Sequence, residues 1–319
     1  MQNYSRIDWI DFLRAIAIVL VVYGHCVPNS SYWFFLCSSP VKMPLFFAIS
    51  GYLLKDSLPI TTFLKKTFSK LVVPWLFLGL FPVLFLMPVK GVCWIFDYLL
   101  KMVVGDVLWF MPCFIIGQVI FFSIRKYVKK DIFCILTVII CSVLGFILFY
   151  NNLGNKGMIN RALIVQIFFL IGFLFKKNES VFIGIKRNIL IILFLVYFIL
   201  CVCSSLFFPG QTIDVHLNYY YNIPFCFVHI CLGTLLLFII CSKNNLHLRF
   251  INGIGRNTFV IYMWHGYSII VLLKIVDGLG LKINDVYSSL LKTFFACCIC
   301  YIVSLLLNRF FPYLVGKSK

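Results

Sequence analysis

Asp11, Arg14 and His25 interrupt a run of Ile, Val, Leu and Ala near the N-terminus that otherwise reads as a hydrocarbon-facing helix. Ionisable groups in such a run are expensive and mark substrate or proton paths. His25 is eleven positions after Arg14, so at about 100° per residue the two lie within about 20° of one stripe, with Asp11 within about 60°. Along the axis His25 stands about 16 Å beyond Arg14. The stripe thus joins a cation and a carboxylate at one end to an imidazole at the other. Imidazole is the side chain best suited to accept a proton near neutral pH. The plainer alternative has Arg14 snorkelling to lipid phosphates and His25 bonding a neighbouring helix.

Four further segments carry groups that a lipid-facing helix would not need. Met43 to Tyr52 contains a proline and the pair Ser50-Gly51, which permit a kink and close helix approach. Between Phe63 and Pro74 stand Lys65, Lys66 and Lys70, ammonium groups suited to phosphate, whether of a ligand or of lipid. Leu108-Trp109-Phe110-Met111-Pro112 opens an apolar run, with Trp109 where an aromatic-belt anchor would sit. Ile254-Gly255-Arg256-Asn257-Thr258 precedes Tyr262 and His265, which are three residues apart and share a helix face. Gln166 and His229 also fall inside apolar runs, where they read as hydrogen bonders between helices.

The elements that position these groups are membrane helices. The 319 residues are 62% hydrophobic and 12% charged, against roughly 45% and 25% in soluble domains. Stretches long enough to cross about 30 Å of hydrocarbon fall near 10–28, 33–54, 71–89, 107–124, 132–150, 161–175, 188–208, 224–242, 258–276 and 288–311. The expectation is an all-α polytopic bundle of about ten helices, forming one membrane domain over 1–319 without a soluble appendage. The run from Val92 to Val104, broken by Asp97 and Lys101, is too short to cross and suits an interfacial or re-entrant piece. No small-residue cleavage site follows the first run, so it is expected to stay in the mature protein.

Charge supports this layout. The net charge of +18 is spread in short clusters between apolar runs, which argues for membrane topology and against nucleic acid. With ten crossings and both termini in the cytoplasm, 20 of the 28 Lys and Arg fall inside. The eight outside are Lys42, Lys90, Lys101, Lys156, Arg161, Lys274, Lys282 and Lys292. The 14 cysteines show no metal-ligand spacing and read as small packing hydrophobes.

Several of these segments together resemble the acyltransferase-3 family of bacterial membrane O-acetyltransferases. Arg6 to Arg14 and on through Gly24-His25 is similar to the family's opening signature, including an Arg and a His separated by ten residues. Phe46 to Tyr52 resembles its second-helix motif, and Leu108 to Pro112 its Trp-Phe-x-Pro element. Ile254 to His265 resembles its late Gly-x-Asn-Ser/Thr segment followed by Tyr-x-x-His. One position departs: where the family commonly carries Arg before Leu-x-x-Pro, this chain has Lys70, a point charge without the bidentate fork. The chain resembles the members that lack an appended esterase-like domain.

The resemblance implies an inner-membrane enzyme with acetyl-CoA as co-substrate, no tightly bound cofactor, and a hydroxyl of an envelope sugar or glycan as acceptor. Arg14, Lys66 and Lys70 are then expected to hold the donor's phosphates near the inner surface, with Asp11 as partner to Arg14. His25 is the expected general base. Ser50, Trp109, Tyr262 and His265 are expected to orient the acceptor or the oxyanion. An acetyl-enzyme on His25 is the covalent alternative. A proton-coupled transporter could use the same intramembrane polar groups. A structural membrane subunit is the third reading.

Overall fold

A computed structural model describes residues 7–27, 33–90, 93–154, 158–278 and 286–317. Arg6, Val92, Lys156 and Lys282 lie outside them. In chain order the helices are α1 (Asp8–Cys26), α2 (Trp33–Lys42), α3 (Pro44–Leu53), α4 (Ile60–Thr67), α5 (Val73–Lys90), α6 (Cys93–Val104), α7 (Phe110–Tyr127) and α8 (Asp131–Tyr150). After them come α9 (Ile159–Ile164), α10 (Gln166–Lys177), α11 (Glu179–Ile183), α12 (Arg187–Phe207), α13 (Ile223–Lys243), α14 (Arg249–Gly255), α15 (Thr258–Gly278) and α16 (Val286–Phe310). A π-helical turn, Phe68–Val72, joins α4 to α5, and a 3₁₀ turn, Pro312–Val315, follows α16. Helix satisfies every backbone group internally, which lipid cannot do. Among the described residues the only extended pairing is one bridge between Asp214 and Tyr219.

Eight helical stretches among the described residues are long and apolar enough to cross a membrane: Asp8–Cys26, Phe110–Tyr127, Asp131–Tyr150, Ile159–Lys177, Arg187–Phe207, Ile223–Lys243, Thr258–Val276 and Ser288–Phe310. The protein is an all-α polytopic membrane protein. The segment expected as one helix over 33–54 is two, α2 and α3, which meet at Met43. Pro44 cannot donate to the preceding turn and disfavours helical geometry at the residue before it. The helix expected at 71–89 begins at Val73, behind the π turn. The one expected at 107 starts at Phe110, because Leu108 takes φ of 55°. The short run expected at the interface is α6, where Asp97 and Lys101 pair at 2.7 Å and Phe96, Leu100 and Val103 stay exposed.

By its internal contacts the chain forms two compact units. The first comprises Met1–Ile49, Leu174–Asp214 and Tyr219–Ser304. Its core surrounds α1, whose Leu13, Ile18 and Val22 are fully buried. The Trp9 ring meets Phe238 edge-on at 5.9 Å and Phe175 at 6.3 Å. Lipid is as apolar as leucine, so helix contacts here are fixed by small residues and polar bonds rather than by water exclusion. At Gly255 a Cβ would come 1.7 Å from the Asp11 carbonyl oxygen, so α14 and α1 meet backbone to backbone. Beside that contact Asn252 Nδ2 donates to the Asp8 carbonyl at 2.8 Å. The expected role of His229 is met: its Nε2 lies 3.4 Å from Cys201 Sγ, joining α13 to α12. Tyr197 Oη donates to the Cys37 carbonyl at 2.6 Å.

The second unit comprises Ser50–Phe173, Val215–Asn218 and Leu305–Lys319. Gly51 is its counterpart of Gly255, since a Cβ there would sit 1.9 Å from the Phe169 carbonyl oxygen. Gln166 Nε2 donates to the Gly117 carbonyl at 3.1 Å and ties α10 to α7, the interhelical role expected of it. Arg125, at the end of α7, is buried. Its guanidinium reaches Asp56 at 3.6 Å and Asp131 at 3.7 Å, donates to the Val128 carbonyl at 3.2 Å, and lies 4.1 Å from the Phe173 ring centroid. Lys126 Nζ donates to the Leu58 carbonyl at 2.8 Å. One turn of α7 therefore holds the loop that leads into α4. Much of α8, α12 and α16 presents apolar side chains outward, as lipid-facing helices must; Ile140, Phe194, Phe198 and Ile302 are examples.

The glycine contacts give a direct test. Gly255→Ala and Gly51→Ala each force a methyl into a carbonyl oxygen and should cost about 2–3 kcal/mol or more. Gly266→Ala enters open space and should be neutral or slightly stabilising. Thermal unfolding of the purified variants in one detergent separates the cases, and equal melting temperatures for all three would refute the close-approach account.

Candidate active site

The first unit holds five of the residues singled out from sequence, in two groups at opposite ends of α1. At the α1 N-terminus the Asp11 carboxylate is 1% exposed. Arg14, one turn on, brings NH1 to Asp11 Oδ1 at 3.1 Å. Arg256, from the turn between α14 and α15, brings Nε to Asp11 Oδ2 at 3.2 Å. Burying a carboxylate is costly unless its oxygens are matched by charge-assisted donors, and here two guanidiniums divide them. Arg14 and Arg256 keep 30% and 38% of their side-chain surface accessible, so each still faces outward. Arg256 NH2 also lies 3.6 Å from Asp8 Oδ1, and His247 Nδ1 lies 3.2 Å from Asp8 Oδ2.

At the far end of α1, His25 is the penultimate helical residue and is exposed. Its ring lies 4.9 Å, centroid to centroid, from that of His265, which is buried on α15. His265 Nδ1 lies 2.7 Å from the Tyr262 carbonyl and 3.2 Å from that of Ile261. A carbonyl can only accept, so Nδ1 carries the proton and Nε2 is the nitrogen left to accept. The Tyr262 ring, 6.0 Å from His265, completes the group on one face of α15. Close by, Ser289 Oγ donates to the Cys26 carbonyl at 3.1 Å and ties the end of α1 to α16.

Four singled-out residues belong to the second unit. Ser50 is buried within α3. Lys66 lies in the last turn of α4 and Lys70 in the π turn, both exposed. Ser69 Oγ donates to the Lys66 carbonyl at 3.3 Å. A π turn inserts one residue into the helical repeat and so turns the side chains before it relative to those after; such turns concentrate at functional sites. Gly316 lies against the turn, with its ideal Cβ position 2.7 Å from the Lys70 carbonyl oxygen. Trp109 is half-buried and stacks on His216 at 4.8 Å and 20°. Arg161 Nε donates to the His216 carbonyl, while the Arg161 backbone N–H donates to Asn160 Oδ1 at 2.7 Å.

From the sequence Arg161 is only a topology charge, and Arg256 stands in the Ile254-to-Thr258 segment without a role of its own. Arg256 sits 245 residues from Asp11, and no local spacing links them. His216 lies in a loop without a recognisable motif, and π turns have no sequence signal of their own. Chemically, the α1 N-terminus can hold an anion against outward-facing guanidiniums. The α1 C-terminus sets an exposed imidazole, a group able to accept a proton, beside a buried one.

The shared carboxylate implies an order of variant stabilities. Asp11→Ala leaves two guanidiniums without their common counter-ion and should cost about 3 kcal/mol. Arg14→Gln leaves Asp11 paired to Arg256 and should cost less. A melting series showing the reverse order would remove Asp11 as the centre of this cluster.

No curated protein and no solved structure matches the chain. A family model described as an acyltransferase domain, that of acyltransferase 3, matches residues 7–309. The matched span takes in both ends of α1, the α3 segment, the Trp109 turn and the Gly255-to-His265 segment, so the chain belongs to the acyltransferase-3 family and is a membrane acyltransferase.

Proposed function

We propose that the protein moves an acetyl group from cytoplasmic acetyl-CoA to a hydroxyl of an envelope sugar or polysaccharide precursor, with His25 as general base. In this reading it resides in the inner membrane with both termini in the cytoplasm. The observation that carries it is the imidazole pair at the far end of α1, one ring accessible and the other buried and fixed by its own helix. A base must be reachable by its substrate, and an exposed His25 ring is compatible with that. Its neighbour needs a fixed orientation, and His265 has one.

The steps follow from ordinary acyl-transfer chemistry. His25 takes the proton of the acceptor hydroxyl as that oxygen attacks the thioester carbonyl. The tetrahedral intermediate collapses, the carbon–sulfur bond breaks, and the leaving thiolate recovers the proton from the imidazolium. Arg14, accessible at the cytoplasmic end of α1, holds a donor phosphate, and Asp11 holds Arg14. Lys66 and Lys70 are exposed ammonium groups of the kind that phosphates take. Tyr262 and His265 orient the reacting groups beside His25. Within the second unit, Ser50 offers a buried hydroxyl and the Trp109–His216 stack an aromatic face of the kind that suits a sugar ring.

The charge asymmetry of the chain supports a cytoplasmic donor, since the Arg14 end falls on the cation-rich side. Membranes containing the protein and given labelled acetyl-CoA should pass label to a glycan fraction, with free thiol released in step. His25→Ala should lower transfer at least about 100-fold while helical content and melting temperature are kept. Undiminished transfer in that variant refutes His25 as the base, and transfer to protein or lipid alone refutes the glycan acceptor.

A further inference from the structure

Arg256 occupies the variable position of the Gly-x-Asn-Thr segment, so the family resemblance assigns it nothing. The residues around it are held firmly. Gly255 touches the Asp11 backbone, Asn252 Nδ2 bonds the Asp8 carbonyl at 2.8 Å, and Asn257 Nδ2 bonds the Gly253 carbonyl at 2.8 Å. The Arg256 side chain therefore leaves from a fixed point beside the first turn of α1. From there its guanidinium spans two carboxylates, Asp11 at 3.2 Å and Asp8 at 3.6 Å. Among the described residues His247, 3.2 Å from Asp8, also faces this corner.

We infer that Arg256 is a positioning residue for the donor site: by filling Asp11 Oδ2 it keeps Asp11 Oδ1 turned to Arg14 and so sets the direction of the Arg14 guanidinium. The inference rests on the reading that Arg14 holds a donor phosphate. A carboxylate has two oxygens and rotates about one bond. When a second guanidinium occupies one oxygen from a rigid turn, that rotation stops. Remove Arg256 and the buried Oδ2 loses that guanidinium. The carboxylate then turns to share Arg14 through both oxygens and draws that guanidinium inward, away from the ligand. Lysine at 256 can reach one carboxylate but cannot fork between Asp8 and Asp11.

Coenzyme A binding tests this without knowledge of the acceptor. For the purified full chain in detergent, Arg256→Gln should weaken the coenzyme A Kd roughly tenfold, the size expected when a charge-assisted bond stops orienting its partner. Arg256→Lys should recover part of that loss. In an Arg14→Gln background, Arg256→Gln should add nothing, because it acts only through Arg14. If Arg256→Gln does not fold, the lysine variant carries the test, with an expected weakening of about threefold in the Arg14 protein and none in the Arg14→Gln protein. Wild-type affinity in both Arg256 variants, with weak binding by Arg14→Gln, overturns the inference and leaves the donor reading intact. Multiplicative losses in the double variant overturn it in favour of direct contact between Arg256 and the donor. Unchanged affinity in Arg14→Gln refutes the donor reading itself, and the inference falls with it.

Discussion

A charged carboxylate removed from water must be matched by fixed positive charge, and in this protein that requirement is met at Asp11. Its two oxygens are divided between Arg14, from its own helix, and Arg256, from the turn that begins α15. The bond network can form because Gly255 lets α14 rest on the α1 backbone, with no side chain between them. In a solvent as apolar as the helices themselves, such contacts do what the hydrophobic effect does in water. They decide which helix faces which, and here they attach α1 and α15, the two helices that carry His25 and His265, to each other at one end. The imidazole pairing at the other end depends on that attachment.

The second unit solves similar problems separately. Arg125 is its buried cation, placed among two carboxylates, a carbonyl and an aromatic face, and Gly51 is its backbone contact. Burying a guanidinium costs several kcal/mol unless most of its donors are used. The arrangement therefore specifies one conformation for the loop into α4, and with it the start of the helix bearing Lys65 and Lys66. The π turn then sets how those lysines are directed relative to α5.

Much of this was legible in the sequence, for identifiable reasons. Apolar runs of membrane-spanning length are forced into helix by backbone hydrogen bonding alone, so α1, α8, α12, α13, α15 and α16 could be located within a few residues. The Asp11–Arg14 pair was legible because a three-residue spacing puts both on one face. The proximity of Tyr262 and His265 was legible for the same reason. What could not be read was anything that joins distant segments: Arg256 to Asp11, His216 to Trp109, and His25 to His265 as rings in contact. A single sequence records spacing along the chain, and these pairs are 245, 107 and 240 residues apart. The break at Met43 was half legible. Pro44 signalled a kink, but whether a kink becomes a chain break depends on the packing of both halves.

The helix α1 also imposes a geometric condition on the chemistry. Arg14 and His25 lie on one rigid rod about 16 Å apart and nearly in line. If, as proposed, Arg14 holds the donor's phosphates and His25 is the base, the donor can reach the imidazole only through an extended, flexible arm running along the rod. A donor with a short link between anion and thioester would leave the acyl carbon short of the base. In the proposed function that spacing suits a carrier whose charged head and reactive sulfur are far apart, as they are in coenzyme A. The same spacing makes α1 intolerant of insertions. One added residue between Arg14 and His25 turns the imidazole by about 100° and moves it about 1.5 Å, which takes it off the stripe shared with Arg14 and away from His265. In the proposed site the separation of the two groups therefore matters in the same sense as their chemical identity.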